Sequence, residues 1–264
     1  VPASCPSASL EAQAIAGRSY GAAKINTRRN SSWSLPWDLY STVNDQHYTG
    51  YSYESGAQSS NWIDAVDNTT QIVIQHNGNP IYAYYSSSNG GFMESSAYVF
   101  CSSSNHPCSQ TDYLLSGIDD FDYLDNPRHE WIRDYSGSDL GRWIADANLG
   151  AVGTVTGINI GSDLGDSGRT DQANVTIFGT QGSVITKGDS FMTLVNSGVN
   201  DDGLGYDHQI LSTLYSINDF SSSNKEVNQT TNGLLPSGWS TAESQDQFGR
   251  TVSAGDFNGD GSHD

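Results

Sequence analysis

The stretch from Tyr84 to Ser95 is rich in groups that could bind a polar ligand. It reads YYSSSNGGFMES, so two tyrosines are followed by three serines and a pair of glycines. Serines supply hydroxyl groups, and glycines let backbone N–H groups approach a ligand where a Cβ would clash. The pattern predicts the floor of a sugar-binding groove, and the alternative interpretation is a Ser/Gly-rich surface loop.

A helix and a hairpin are predicted to position this stretch. Residues 8–24 have apolar or small side chains at a helical spacing, which gives the helix one buried face. Residues 71–74 and 81–85 are predicted strands, and the sequence NGNP at 77–80 between them is a hairpin turn signal. We expect a polysaccharide cleft between the helix and the hairpin.

The 264-residue chain is strongly acidic, with a formal net charge of −19. This charge opposes binding to nucleic acid and to anionic membrane surfaces. No apolar run approaches the roughly 18 residues that a transmembrane helix needs, so membrane insertion is not expected. We expect an extracellular or cell-surface protein, from which processing or truncation has removed a signal peptide in front of Val1.

Two of the three cysteines, Cys101 and Cys108, flank a short polar loop. A disulfide that closes this loop is the favoured interpretation, and it implies an oxidising compartment. The alternative is a metal site with His106 between two thiolates, for which only three ligands are local. Cys5 is left over, either buried or paired with a segment that this chain lacks.

The later part of the chain predicts a second helix and further strands. The expected elements are a helix over 138–149, strands over 152–160, 173–178 and 182–186, and a short helix over 190–195. An acidic cluster that begins at Asp119 is interpreted either as a calcium site or as a solvated loop. Residues 217–236 are rich in Ser, Asn and Thr and predict a linker.

The end of the chain carries the most specific metal signal in the sequence. Oxygen-bearing side chains recur in the 1, 3, 5, 9 spacing of a calcium loop, at Asp256, Asn258, Asp260 and Asp264. Residues 237–264 resemble the start of an FG-GAP repeat of the integrin β-propeller type, in which a calcium loop joins the strands of a blade. This piece is shorter than one blade, so further repeats or another chain would have to complete it.

Six stretches, in order along residues 1–216, together resemble the SpoIID/LytB domain of bacterial cell-wall and sporulation proteins. They are LEAQAIAGRSY at 10–20, DQHYTG at 45–50, AVDNT at 65–69, YSSSNGG at 85–91, NP with Trp131 at 126–131, and GTVTG at 153–157. The resemblance implies an α+β fold over residues 1–216, with mixed or antiparallel sheets and a few helices. The linker at 217–236 and the partial β-propeller-type repeat at 237–264 would follow.

The activity that the resemblance implies is lytic transglycosylation of peptidoglycan glycan strands, and some relatives enhance a partner amidase. The reaction needs a carboxylic acid that protonates the glycosidic oxygen and then accepts a proton from the sugar's own 6-hydroxyl. The family's usual glutamate positions fall before Val1 and at Ala8, so the usual acid is not found in this chain. The glutamates considered are Glu11, Glu54, Glu94 and Glu130. Glu94 and Glu54 are the candidates, because they lie where the family often has an acid.

The resemblance also implies glycan strands as the ligand, bound by the first helix and the Ser/Gly stretch. The implied binding residues are Gln13, Arg18, Tyr85, Ser86, Ser87, Ser88, Gly90 and Gly91. Some family members hold zinc near the stretch 45–50, but this chain has no Cys there, so we expect calcium and no zinc. Besides a secreted glycan-binding domain, two other functions stay open. One is a calcium-dependent, self-associating subunit of a surface layer or fibre, and the other is an integrin-like adhesion module.

Overall fold

A computed structural model gives the fold of the chain. The residues described are 2–42, 44–48, 50–51, 54–56, 59–100, 109–124, 126–219 and 224–229. The chain divides into two compact units, of which the first ends at Ser87 and the second begins at Ser88. The stretch 1–216, which the sequence analysis treats as one domain, therefore contains parts of two units.

The first unit contains two helices and a short hairpin. Its elements are α1 (Ser7–Arg29), α2 (Ser59–Asn68), β1 (Gln75–His76) and β2 (Asn79–Pro80). α1 is longer at both ends than the predicted 8–24. Its last turn contains Arg28 and Arg29, whose positive charges are favourable near the carboxyl end of a helix. α1 packs against α2, where Ala65 is buried and its small side chain allows close approach.

The hairpin is confirmed at its turn but is shorter than the sequence predicts. Asn77 and Gly78 both have positive φ, 50° and 76°, as a type I′ turn requires. Only Gln75–His76 and Asn79–Pro80 pair as strands. Because proline has no N–H to donate, it limits the ladder at that position.

The second unit alternates short strands with helices. Its elements are β3 (Phe92–Met93), α3 (Ser96–Val99), β4 (Gly117–Ile118), β5 (Trp131–Ser136), α4 (Gly137–Asp146), β6 (Val155–Ile160), β7 (Asn174–Gly179), β8 (Gly182–Lys187), α5 (Gly188–Asp201), a 3-10 turn (Tyr206–His208), β9 (Ser216–Asp219) and β10 (Asn224–Gln229). The three strands predicted by alternation correspond to β6, β7 and β8, which form an antiparallel meander. The two helices predicted in this part correspond to α4 and α5.

One core lies under these elements. α4 begins where the Ser136 hydroxyl accepts a hydrogen bond from the Asp139 N–H (3.0 Å), which satisfies one free donor of the first turn. Apolar side chains at helical spacing then point inward from α4 and α5. The fully buried members of the core include Leu140, Ile144, Val152, Val175, Ile177, Phe191, Val195, Val199 and Val227.

The predicted linker over 217–236 is wrong for its first part. β9 and β10 lie there, and β10 is the central strand of an antiparallel sheet in the order β5-β10-β9. The physical reason is that Val227 of β10 is fully buried in the core. A single apolar residue in a polar strand gives little alternation for a sequence pattern to detect.

The described residues thus combine a few helices with small antiparallel sheets, in agreement with the α+β prediction. The partial repeat at 237–264 lies outside the described residues. Within the described ranges, no helix combines the length and the apolar character that crossing a membrane would need.

Candidate functional site

The predicted binding stretch divides at the boundary between the two units. Its first four residues, Tyr84 to Ser87, belong to the first unit and are all exposed. Tyr85 is 50% exposed. These residues therefore present two phenol rings and two hydroxyls to solvent, which is the chemistry that the sugar-binding interpretation requires.

Gln46 connects Tyr85 with the first helix. The Gln46 Nε2 donates to the Gly17 carbonyl (2.8 Å), and its Oε1 accepts from the Tyr85 hydroxyl (3.4 Å). A Cβ at position 17 would lie 3.2 Å from the Gln46 Oε1, so a residue without a side chain lets the glutamine lie close to α1. The half-buried Gln13 precedes Gly17 by one helical turn, on the same side of α1. Gln13, Gln46 and Tyr85 are the polar groups of this candidate surface.

The cleft expected between α1 and the hairpin is not formed. The Ile74 N–H donates to the Ser19 hydroxyl (2.8 Å), so the hairpin lies directly on the helix. The Tyr20 ring packs edge-on against Tyr82 and Tyr84, with ring centroids 5.9 and 5.8 Å apart. Tyrosine rings occupy the space in which a sugar was expected, and the candidate site is an exposed surface beside them.

A buried aspartate fixes the segment that carries Gln46. The Asp45 side chain is fully buried and accepts hydrogen bonds from both terminal nitrogens of Arg28 (2.6 and 3.1 Å) and from the Tyr40 N–H (2.7 Å). Lys24 lies 3.5 Å away. Burial opposes ionisation of Asp45, but these partners outweigh it and lower the pKa of the carboxyl. Gln46 therefore extends from a rigid ionic anchor.

Arg18 has structural contacts in place of the predicted ligand contacts. Its guanidinium donates to the carbonyls of Thr69 (2.6 Å), Ile72 (3.0 Å) and Val66 (3.2 Å). These carbonyls lie at and just beyond the end of α2, where a helix has no internal donors for its last carbonyls. Arg18 thus caps α2 and joins it to α1.

The second half of the stretch, from Ser88 onward, is bonded inside the second unit. The Ser88 hydroxyl donates to Asp122 (3.0 Å) and accepts from the Gly90 N–H (3.2 Å), and the Gly91 N–H donates to the Asn89 side chain (2.9 Å). The prediction that these glycine N–H groups face a ligand is therefore wrong. Gly90 and Gly91 serve the loop by their positive φ of 70° and 90°, which a side chain would disfavour.

Asp122 is the centre of this loop, and the sequence analysis did not single it out. Its fully buried carboxylate accepts from His129 Nδ1 (2.8 Å), the Asn89 N–H (3.2 Å) and Asn126 Nδ2 (3.0 Å), in addition to Ser88. Burial opposes its charge, but the hydrogen bonds from His129, Ser88 and the Asn89 N–H lower the pKa of Asp122.

The acidic cluster is mixed in exposure, because Asp119 and Asp122 are buried and Asp120 is exposed. The sequence feature that corresponds to the buried Asp122 is His129, seven residues later. In the part of the chain that the structure describes, no group of three or more His, Cys, Asp or Glu side chains could hold a metal ion.

The candidate acids have different settings. Glu94 is half-buried, and its carboxylate accepts from the Ser167 hydroxyl (2.6 Å) and from the Ser167 and Asp166 N–H groups (3.0 and 3.2 Å). Glu54 is exposed and lies in a turn, where its own N–H donates to the Tyr51 carbonyl (2.9 Å). Glu11 is half-buried beside Asn68, and Glu130 is exposed.

Two sets of predicted site residues lie outside the described residues. They are the disulfide pair Cys101 and Cys108, and the calcium ligands Asp256, Asn258, Asp260 and Asp264. Both stay predictions from the sequence.

Comparison with known proteins supports the resemblance for the first unit. Residues 1–76 match the family described as SpoIID, Stage II sporulation protein. A stretch of 103 residues is 38% identical to the protein named Amidase enhancer of Bacillus subtilis (strain 168). This stretch is 39% of the present chain, and it spans 12% of the length of that relative. The likeness thus covers less of the chain than the residues 1–216 that the sequence analysis predicts.

Proposed function

We propose that this chain binds glycan strands of the bacterial cell wall, at the cell surface or outside the cell. The similarity of residues 1–76 to a sporulation protein family, and of a longer stretch to an amidase enhancer, supports a role related to the cell wall. The observation that carries the proposal is the exposed run from Tyr84 to Ser87, held beside α1 through Gln46.

The chemistry of this surface suits a sugar chain. Tyrosine rings offer flat apolar faces for the C–H groups of a pyranose ring and a hydroxyl at their edge. The side chains of Gln13, Gln46, Ser86 and Ser87 add donors and acceptors for sugar hydroxyls. An acidic chain also gains little from polyanions, so a glycan backbone is a better ligand than a nucleic acid.

Sedimentation with purified, insoluble peptidoglycan tests the proposal. We expect the wild-type chain to sediment with the glycan. Tyr85→Ala should weaken binding about two- to tenfold, as expected for the loss of one aromatic contact of about 0.5–1.5 kcal/mol. Tyr206→Ala is the matched control, because Tyr206 is 49% exposed and lies in the second unit.

Two results would remove the glycan proposal. One is a wild-type chain that stays in the supernatant at every concentration of glycan. The other is an equal loss of binding in Tyr85→Ala and Tyr206→Ala, because that would indicate non-specific adsorption through exposed rings.

Lytic cleavage of the bound glycan is a narrower proposal, in which Glu54 or Glu94 protonates the glycosidic oxygen. Mass spectrometry of glycan strands after incubation would detect the anhydro-sugar ends that this reaction leaves. Glu54→Gln and Glu94→Gln are the variants, and loss of product in only one of them assigns the acid. If the wild-type chain releases no anhydro product, the protein binds without cleaving.

A second candidate function rests on the spacing of Asp256, Asn258, Asp260 and Asp264, which favours calcium. Here the chain is a subunit of an extracellular layer or fibre. Terbium luminescence should report ion binding that Asp256→Asn with Asp260→Asn abolishes and Asp207→Asn does not. Light scattering should then show assemblies that a chelator disperses. A monomer in both conditions would exclude the assembly.

The disulfide between Cys101 and Cys108 is part of the same extracellular proposal. Non-reducing peptide mapping of the purified protein should recover the two cysteines in one linked fragment, with Cys5 in another. Recovery of both as free thiols from protein isolated from an oxidising compartment would contradict it.

A further inference from the structure

In the second unit, two charged residues join the loop between β6 and β7 to residues 88–94, which we call the Ser/Gly segment. Glu94 lies at the end of that segment, and Arg169 lies in the β6–β7 loop. Each of the two side chains bonds the backbone of the other's segment. The pair therefore joins two stretches that are more than 70 residues apart in the sequence.

Glu94 holds the β6–β7 loop. Its two oxygens accept hydrogen bonds from the N–H groups of Asp166 and Ser167 and from the Ser167 hydroxyl. Charge-assisted hydrogen bonds of this kind are shorter and stronger than neutral ones. These hydrogen bonds fix the orientation of the Glu94 carboxylate.

Gly165 makes room for that carboxylate. A Cβ at position 165 would overlap the Glu94 carboxyl group and crowd the Tyr98 ring. The φ of Gly165 is not in the left-handed region, so the space for Glu94, and not backbone strain, explains the glycine. A side chain here would displace the carboxylate and leave the rest of the backbone unstrained.

Arg169 holds the Ser/Gly segment in return. Its Nη2 donates to the carbonyls of Asn89 (2.6 Å) and Phe92 (3.2 Å), on either side of the glycine pair. Burial lowers the pKa of this guanidinium, against the opposite effect of the nearby Asp171, Glu94 and Asp122. A partly buried cation keeps its charge where its partners compensate for the lost hydration.

We propose that Glu94 and Arg169 are positioning residues, which together fix the Ser88–Glu94 segment and thereby the exposed serines that precede it in the chain. This inference rests on the proposed glycan function for its effect on binding, although the positioning itself does not. Ser86 and Ser87 immediately precede the fixed segment in the chain, and Ser87 is joined to Ser88 by the peptide bond.

Amide hydrogen exchange measures the positioning without any glycan. Glu94→Gln, Arg169→Lys and Gly165→Ala should each accelerate exchange at Gly90 and Gly91 about tenfold, the expected effect of losing a charge-assisted hydrogen bond. Gly157→Ala is the control, because a Cβ there would meet only the Phe178 side chain at an ordinary 3.7 Å. The denaturation midpoint, read in parallel, separates a local change from general destabilisation.

A double-mutant cycle tests whether the contact itself is responsible. If Glu94 acts through Ser167, the exchange rates of Glu94→Gln combined with Ser167→Ala should equal those of Glu94→Gln alone. Fully multiplicative effects of the two substitutions would contradict the contact. Unchanged exchange at Gly90 and Gly91 in all three single variants would overturn the proposal, whether or not the wild-type chain binds glycan.

Glycan affinity gives the second readout. Arg169→Lys should bind peptidoglycan about three- to tenfold more weakly than the wild-type chain at an equal denaturation midpoint, because an ammonium group cannot reproduce the bonding of a planar guanidinium. Equal glycan affinity of Arg169→Lys and the wild-type chain would contradict this effect on binding.

Discussion

In both units an aspartate with a fully buried side chain lies among polar partners, but the partners differ in kind. Asp45 in the first unit is held by two basic side chains, Arg28 and Lys24. Asp122 in the second unit is held by a hydroxyl, an amide, a backbone N–H and His129. The first is an ion pair that joins a helix to a loop, and the second is a hydrogen-bonded centre that closes one loop.

The two aspartates also differ in what they hold in place, because one supports an exposed surface and the other supports a loop that is bonded to itself. Asp45 holds the segment of Gln46, whose neighbour Tyr85 is exposed and available to a ligand. Asp122 holds the loop of Ser88, Gly90 and Gly91, whose polar groups bond one another. The serine-glycine stretch therefore has an exposed part before Ser88 and an internally bonded part from Ser88 onward, and a different aspartate supports each part.

Removal of the ion pair should have the largest effect. Asp45→Ala leaves Arg28 without its carboxylate in a nearly buried position, and breaking a buried pair costs about 3–5 kcal/mol. Urea unfolding should show this loss, and peptidoglycan sedimentation should show weaker binding because Gln46 loses its anchor. A loss below about 1 kcal/mol would mean that water replaces the carboxylate and that the pair contributes little.

Replacement of Asp122 should lower the free energy of unfolding by less than Asp45→Ala does. Asp122→Asn keeps the shape and one acceptor oxygen, but its NH₂ group faces donors, so about 1.5–3 kcal/mol should be lost. Exchange at Gly90 and Gly91 should accelerate in this variant, whereas Tyr85 should keep its surroundings. A loss larger than that of Asp45→Ala would invert the comparison between the two anchors.

Lowering the pH should reduce the stabilisation that Asp45 and Asp122 each contribute. The pKa values of Asp45 and Asp122 are lowered in the folded protein, so each carboxylate stabilises it fully above the unfolded value of about 3.9. This stabilisation is lost as the pH falls through the lowered pKa. The difference in unfolding free energy between wild type and each Asp→Asn variant should be constant from about pH 5 to 7 and shrink below about pH 4. A difference that persists undiminished at pH 2.5 would contradict the assignment.

The smallest effect is expected at the exposed pair between Arg29 and Asp38, which lies near Asp45 in the sequence. Asp38→Asn should leave the urea midpoint unchanged within error, because solvent screens an exposed pair. A clear shift in this variant would show that exposure does not separate weak from strong pairs in this unit. It is therefore the control for Asp45→Ala.

The elements that the sequence predicted well are those with a strong hydrophobic period. α1, α4 and the β6-β7-β8 meander have apolar residues at helical or alternating spacing, so their existence was correct and their ends shifted by a few residues. β5 was missed because its sequence WIRDYS does not alternate strictly, and β10 was missed because Val227 is the one apolar residue among its six. Their place in the sheet is set by pairing with distant strands, which no local pattern contains.

The residue types of the candidate surface can be read from the sequence, but their orientation cannot. The tyrosines and first two serines of the stretch are exposed, as the sugar-binding interpretation needs. The same composition continues through Ser88 and Gly91, but Ser88 and the Asn89 N–H bond Asp122, which is more than 30 residues later in the sequence. Arg18 was assigned to a ligand because a sequence cannot show that three carbonyls at the end of α2 already occupy it.

The central place of β10 has a practical consequence for anyone who shortens this protein. A chain cut after Tyr215 would discard β9 and β10, the other two strands of the sheet that contains β5. The open row of N–H and C=O groups on Trp131–Ser136 would then be free to pair with other molecules. The cut would also leave a hole where the Val227 side chain belongs. Soluble, well-behaved fragments should retain everything up to Gln229, and those that stop at the boundary suggested by composition should aggregate.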